Sequence, residues 1–384
     1  MKDLDIQELL DLEDIEENEL QYLKKYGYTP FNVSTWNPSD YFSQTYLLNR
    51  IQLIPFDYIP YLYSYEIDQN QLFTTKTNLG GNNYFGCIIT NTGTSAISLV
   101  TSVLKQIDVR HILIICPVYY SVLYNFVQKG IHVVKTYLIR TNNGYRLPQE
   151  QIKSSIENID AIWLTNPVYN TGTYLTKEDI DFLRNQIPSR IVLVCDDCFS
   201  TSGLEMIRNF NNHPNYISIH DPLKQIMVNG LKFSCVLYSC QYEHLFNQWS
   251  DIICGSLSYS TVQSMIFFNS DEFKEIRLQL HRHFDDMNKH LQEISVCFPA
   301  LSIDKNNGYG HMRMCYFPDL SYDFLQNKDN MYKFMEKTGT SLIPGNRSHF
   351  PNACGFCFRI NYGRECDEFW DAVIRIFRYL STCN

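Results

Sequence analysis

From Cys87 to Tyr238 the chain repeats one pattern: a short apolar run, a turn, then a stretch with helical spacing. The apolar runs are Cys87–Thr90, His111–Cys116, Ile131–Tyr137, Ala161–Thr165, Arg190–Cys195, Tyr216–His220 and Lys232–Tyr238. Helical spacing covers Ser95–Gln106, Tyr120–Lys129 and Thr176–Gln186, the last opened by Thr176 and Asp179 in an N-cap pattern. Short apolar strands alternating with amphipathic helices predict an α/β fold built on a mostly parallel sheet covered on both faces. Ligands of such sheets bind beyond the C-terminal ends of the strands. Function is therefore sought in the residues that follow each run.

The flanks read differently. An acidic, helix-like arm runs to about Lys25, and an irregular aromatic segment follows, including Pro30–Phe42 and Tyr61–Asp68. After the repeated block, Ser270–Ile294 reads as one long helix. Gly310–Phe317, Gly355–Tyr362 and a terminal helix from about Cys366 read as a smaller α+β lobe. The expected organisation is an N-terminal arm over 1–45, a large domain over 46–280 and a small C-terminal domain over 281–384. A length of 384 residues supports two lobes around a large core.

Charge and cysteines narrow the function classes. A net charge of −9 offers no attraction to nucleic acid or to an anionic membrane surface. The longest apolar candidate, His111–Cys116, stops at Pro117, far short of a membrane span. Met1–Lys25 lacks the basic end and apolar centre of a secretion signal. Thirteen scattered cysteines then read as reduced thiols, and the expectation is a cytoplasmic protein. Two pairs have metal-ligand spacing, Cys195–Cys198 and Cys354–Cys357, but both abut strands, where residues three apart point to opposite faces. His281 and His283 on the long helix do not share a face either. No metal is expected.

At the strand ends the residues become chemically specific. Gly93-Thr94-Ser95 opens a helix after the first run, and free amides with hydroxyls at a helix start suit a phosphate. Tyr119 follows the second run, Asn166 the Ala161–Thr165 run, and Asp196 the Arg190–Cys195 run. After Tyr216–His220, Pro222 stops the strand, and Lys224 stands just beyond it. A lysine desolvated in such a crevice has a lowered pKa and a free amine for Schiff-base chemistry; alternatively, it is a solvated loop residue. A phosphate nest, an aromatic ring, an amide, a carboxylate and a lysine on one edge suit a phosphorylated heteroaromatic aldehyde.

The order of these pieces resembles the pyridoxal-phosphate (PLP) dependent aminotransferases of class I/II, the fold type I or aspartate aminotransferase-like family. The resemblance runs from about Ser34 to the C-terminus. It is carried by TGTSAI (92–97), PVY (117–119), NPVYNTG (166–172), DDCF (196–199), lysines at 224 and 232, IPG (343–345) and FRI (358–360). It implies that Lys224 forms the Schiff base with PLP and then moves the Cα proton, and that Asp196 pairs with the pyridine nitrogen. It implies also that Asn166 reaches the ring's phenolic oxygen, that Tyr119 stacks on the ring, and that Gly93, Thr94, Ser95 and Lys232 hold the phosphate. Arg359 would fork the substrate α-carboxylate, with Trp36 and Asn166 beside the substrate. Tyr63 or Tyr65, and the segment Ser256–Ser260, would cross to a second subunit of a homodimer.

Three positions depart from the family pattern. Lys232 stands where arginine is usual, and Phe199 where many members place a tyrosine hydroxyl near the phenolic oxygen. Asp221 stands where a phosphate-binding serine is common. A carboxylate about 4 Å from a phosphate repels it by roughly 1–4 kcal/mol. Asp221 is therefore expected to turn away, to pair with Lys232, or to meet a cationic group of the ligand. The resemblance implies amino-group transfer from an amino acid to a 2-oxo acid. Another reaction through the same Cα carbanion (elimination, replacement, cyclisation or oxidation) uses the same residues, and a non-catalytic binding protein would not need them all. The side chain of the substrate is not legible.

Overall fold

The computed structural model describes residues 13–51, 63–64, 69–78, 85–200, 205–210, 212–304 and 310–383. The arm forms helix α1 (Glu13–Tyr26), followed by a two-residue strand, β1 (Phe31–Asn32). The repeated block then gives β2 (Phe85–Thr90), α2 (Gly93–Gln106), β3 (His111–Cys116), α3 (Tyr120–Gln128), β4 (His132–Tyr137), β5 (Ala161–Thr165), α4 (Lys177–Gln186), β6 (Val192–Asp196), β7 (Tyr216–His220) and β8 (Ser234–Ser239). Helix starts fall where short polar side chains can satisfy free amides. Thr92, Thr176 and Ser270 cap their helices by accepting from the backbone N–H of Ser95, Asp179 and Phe273.

The strands form one seven-stranded sheet in the order β2-β8-β7-β6-β5-β3-β4. All pairings are parallel except those of β8, which runs antiparallel to both β2 and β7. The reason lies in the connection. Residues 221–233 contain only a short 3-10 turn, Pro222–Ile226, too little for the crossover that a parallel strand needs. The chain instead turns back at the same edge, and the strand expected from Lys232 starts at Ser234. Neighbouring residues of each strand enter opposite halves of the core. Ile112 and Ile114 pack on one face, Leu113 and Ile115 on the other. Every residue of β5, β6 and β7 is buried, as helices on both faces require.

The second lobe follows the long helix α5 (Asp271–Ser295). Its sheet pairs β9 (Met312–Phe317) antiparallel with β12 (Phe356–Asn361), and β11 (Ile343–Pro344) pairs with β12 on its other side. Between them lie α6 (Lys328–Thr338) and β10 (Thr340–Ser341), and α7 (Phe369–Ser381) closes the lobe. The N-terminal segment belongs with this lobe: β1 pairs in parallel with β10, and Asn361 N–H donates to Val33 O at 2.8 Å. That pairing lays the segment carrying Trp36 along β12. No helix among the described residues is long and apolar enough to cross a membrane.

Candidate active site

A cavity of about 230 Å³ opens at the C-terminal edge of the large sheet, between it and the segment around Trp36. Asp196, the last residue of β6, lines it. Backbone bonds from Asn166 N to Asp196 O (3.0 Å) and from Asp197 N to Ile219 O (2.8 Å) fix it between β5 and β7. Its Oδ1 accepts from Cys198 N at 3.2 Å. Burial pushes this carboxyl above the ordinary aspartate range, and Cys198 and Lys224 partly offset it.

Lys224 sits in the 3-10 turn after β7, and its N–H bonds Asp221 O at 3.2 Å. Its side chain keeps 32% of its exposure through the cavity, and Nζ lies 3.5 Å from Asp221 Oδ2. Burial works against the ammonium, but Asp221, then Cys198 and Asp196, outweigh it and hold the pKa above that of an ordinary lysine. This corrects two expectations. The lysine is not left with a lowered pKa, and Asp221 neither turns away nor takes Lys232 as its ion-pair partner. The partner is Lys224, because the 3-10 turn brings residue i+3 back over residue i.

One end of the cavity is the start of α2. Thr92, Gly93 and Thr94 line it, together with Lys232. A Cβ built on Gly93 would lie 3.3 Å from Asp221 Oδ2, 3.5 Å from Lys224 Nζ and 3.6 Å from Ser234 Oγ, so glycine keeps a small cradle open there. Ser95 does not line it. Its N–H and hydroxyl are both engaged by Thr92 Oγ1, at 3.1 and 2.9 Å, in the cap of the helix.

The opposite wall is aromatic. Trp36 and Phe199 stack with ring centroids 5.5 Å apart and planes 22° apart, and Tyr169 meets both. Lys224 Nζ lies 5.2 Å from the Phe199 ring centre. Tyr119, the residue before α3, and His311 also line the cavity. Arg359, on β12, stands behind Trp36, with its guanidinium 4.3 Å from the indole ring centre. Nε donates to Ser34 O at 2.8 Å and Nη1 to Asn170 Oδ1 at 3.4 Å. Among the described residues no carboxylate pairs with it, and burial pulls its pKa below the usual arginine value. The guanidinium is thus a buried cation with aromatic and amide partners.

Residues 84–372, most of the chain, match the family model of aminotransferase class I and II. The chain belongs to that family. Among its relatives, histidinol-phosphate aminotransferase 2 of Haemophilus influenzae (strain 86-028NP) is 22% identical over 279 residues, 69% of each chain. Among solved structures, N-succinyldiaminopimelate aminotransferase from Mycobacterium tuberculosis superposes with a TM-score of 0.72 at 14% identity. It covers 94% of this chain and is itself covered to 96%. A double mutant of Thermus thermophilus aspartate aminotransferase gives 0.72 at 13% identity, covering 98% of this chain and 100% of its own. The fold is the aspartate aminotransferase-like, type I fold of PLP-dependent transferases. As an aminotransferase, the enzyme takes PLP as its cofactor. The cavity fits that group: a cradle at a helix start for an anion, a buried carboxylate for a ring nitrogen, a lysine between them, and aromatic walls.

The cavity brings together most of the residues singled out from the sequence: Gly93, Thr94, Tyr119, Asp196, Phe199, Asp221, Lys224, Lys232 and Trp36. Asn166, Ser95 and Arg359 are not among its lining residues. Asn166 is buried, and its Oδ1 accepts from Leu175 N at 2.9 Å, which leaves its amide NH2 as the group to donate. Tyr63 forms an antiparallel bridge with Ser256, and Tyr65 lies outside the described residues. Three residues without an expected role emerge. Tyr169 and His311 wall the cavity, and Asn170, left-handed at φ 62°, reaches Arg359. Tyr169 and Asn170 stand inside the quoted NPVYNTG motif, whereas nothing near His311 in sequence points to a site. No group of three His, Cys, Asp or Glu side chains among the described residues is arranged to hold a metal.

Proposed function

We propose that this aminotransferase transfers the α-amino group of an amino acid to a 2-oxo acid, with Lys224 as the proton carrier and Asp196 and Arg359 as fixed charges on either side. PLP, when bound, supplies the aldehyde that takes up the amino group and the electron sink for charge formed at Cα. Lys224, in reach of the cavity and flanked by Asp221, moves the proton at Cα: as the neutral amine it accepts it, and as the ammonium that Asp221 favours it returns it. Asp196, buried at the end of β6, holds a positive ring nitrogen in place by charge. Asn166 donates its amide to the ring's oxygen, and Tyr119 covers a ring face. The amides at the start of α2, with Lys232, take the phosphate. Arg359 orients the substrate carboxylate as a two-pronged donor, and Trp36 with Phe199 excludes water from that side.

The observation that carries this reading is that Lys224 and Asp196 share one cavity whose end is the Gly93 cradle. Sodium borohydride treatment of the loaded enzyme followed by peptide mass spectrometry should find the pyridoxyl group on Lys224; a label elsewhere, or none, refutes the assignment. Incubation with a panel of amino acids, with histidinol phosphate included because it is named for the relatives, then reads the reaction type. Accumulation of pyridoxamine phosphate supports transfer, and release of ammonia without it refutes transfer. We further propose a homodimer. In support, the Tyr63–Ser256 bridge ties together the two segments that the family resemblance places at the subunit boundary. An active monomer by sedimentation would exclude it.

A further inference from the structure

Among the described residues that line the cavity, Asp221 is the acidic side chain to which the proposed reaction gives no direct role. It is 4% exposed, and its Oδ2 lies in the space that a Cβ on Gly93 would enter, beside Lys224 and Ser234. The backbone leaves it no room to withdraw. His220 is paired in register with Cys235 and Thr90 with Ser234, so the residue after His220 is held against the start of α2. The turn that begins at Pro222 fixes it from the other side through Lys224 N–H.

In the protein without cofactor this carboxylate is well placed. It neutralises the Lys224 ammonium and faces the positive end of a helix. A dianionic phosphate seeks the same amides and the same cations. Two anions in one buried cradle repel, and a single proton removes the conflict, because a protonated carboxyl donates a hydrogen bond to a phosphate oxygen. Resting on the reading that the start of α2 holds the cofactor phosphate, we infer that phosphate and proton bind together here: Asp221 takes one proton from solvent when the phosphate seats. The groups facing it set the balance. Burial, the largest influence, raises the Asp221 pKa above the ordinary aspartate value. Lys224, from its own turn, Lys232, from the loop before β8, and the Ser234 hydroxyl on β8 pull it part of the way back toward the charged carboxylate. From the end of β6 the Cys198 thiol also faces it. The cations that hold Asp221 ionised in the free protein turn to the phosphate once it is bound, and burial then favours the acid.

The consequence is a cofactor affinity that falls as pH rises. One proton taken up per phosphate gives about a tenfold loss per pH unit between the free-state pKa of Asp221 and its higher pKa beside the bound phosphate. The phosphate's own second ionisation, near about 6, is complete above about pH 7 and contributes nothing there. Dissociation constants for PLP and for pyridoxal, which lacks the phosphate, are measured between about pH 7 and 9. Their ratio isolates the phosphate from the chemistry at Lys224. In native protein the advantage of PLP over pyridoxal should shrink about tenfold per pH unit. In Asp221→Asn, of the same shape, and in Asp221→Ser, it should stay flat and exceed the native value at pH 9. A flat ratio in native protein overturns the inference without need of any variant. An equal slope in native and Asp221→Asn, with thermal melts showing both folded, overturns it too by placing the proton elsewhere. Failure of the underlying reading looks different, because borohydride would then leave no pyridoxyl label on Lys224 at any pH.

Discussion

Two cations, Lys224 in the cavity and Arg359 behind its aromatic wall, are held in opposite ways. At the cofactor end, Lys224 already has a counterion, Asp221, 3.5 Å away in the same turn. Behind the aromatic wall, where the proposed function places the substrate carboxylate, Arg359 is buried against a carbonyl, an amide oxygen and the Trp36 ring, with no carboxylate among its described contacts. A cation without a counterion in a buried place is poised for an incoming anion. A cation that has one must exchange it. On the proposed function, the difference means that Arg359 can receive a negative group directly, whereas Lys224 must give up a pairing first.

The largest test breaks the pairing. Lys224→Ala should reduce turnover by about 10²–10⁴-fold, the range for loss of a positioned proton carrier. It should also strand Asp221 as a buried carboxylate without its ammonium. The cost is about 1–3 kcal/mol after allowance for the lysine's exposure, and is felt at alkaline rather than acid pH, where the lone carboxyl is charged. Adding Asp221→Asn should recover that stability and none of the activity. Urea titrations of the single and double variants at two pH values read the first effect, and amino-acid turnover the second. A double variant no more stable than Lys224→Ala would show that the two side chains are not coupled.

At the other end, Arg359→Lys keeps the charge and loses the fork. KM for amino acids should rise roughly 10- to 100-fold, while the affinity for PLP stays where it was. The matching amines, which lack the carboxylate, should be poor substrates of native enzyme and change little in the variant. Equal weakening of PLP and substrate would mean that the two ends are not separate, and the contrast between them would fall.

Much of this layout could be read from the chain. The alternation of runs gave the large sheet, because fully buried strands and capped helices leave local marks such as Thr176 with Asp179 and Ser270 before the long helix. Gly93, Asp196 and Lys224 were legible for the same reason: each ends or follows its own strand, and parallel strands put their ends on one edge. What could not be read depends on register and distant packing. Asp221 meets the Gly93 cradle because Ser234 pairs with Thr90, a contact between residues far apart in sequence. Arg359 stands behind Trp36 because β1 joins β10 and carries the Trp36 segment across β12, and a two-residue strand has no pattern to find. His311 precedes an ordinary buried strand and becomes a cavity wall only through the meeting of the two lobes.

His311 offers the smallest and most local reading of the contrast. Two buried histidines have their pKa lowered to about 3, for different reasons. His220, inside the sheet and bonded to Ser218 Oγ at 2.6 Å, is held neutral by burial alone. His311 is held neutral by burial first, and then by the positive charges of Arg313, Arg359 and Lys224. Each binds its proton less readily folded than unfolded, so the stabilisation is complete above the unfolded value near about 6.5 and is lost as pH falls from there toward about 3. The slope per histidine is about 1.4 kcal/mol per pH unit. At about pH 5.5, His311→Gln should therefore lose about 1.4 kcal/mol less stability than native protein does, relative to each at pH 7.5. Urea unfolding at the two pH values measures it. Saturation with a carboxylate that binds at Arg359 should shrink the His311 share and leave that of His220 untouched, because only His311 senses the charge being neutralised. If saturation leaves the His311 share unchanged, the positive charge of Arg359 does not reach His311, and the contrast drawn between Arg359 and Lys224 loses this support.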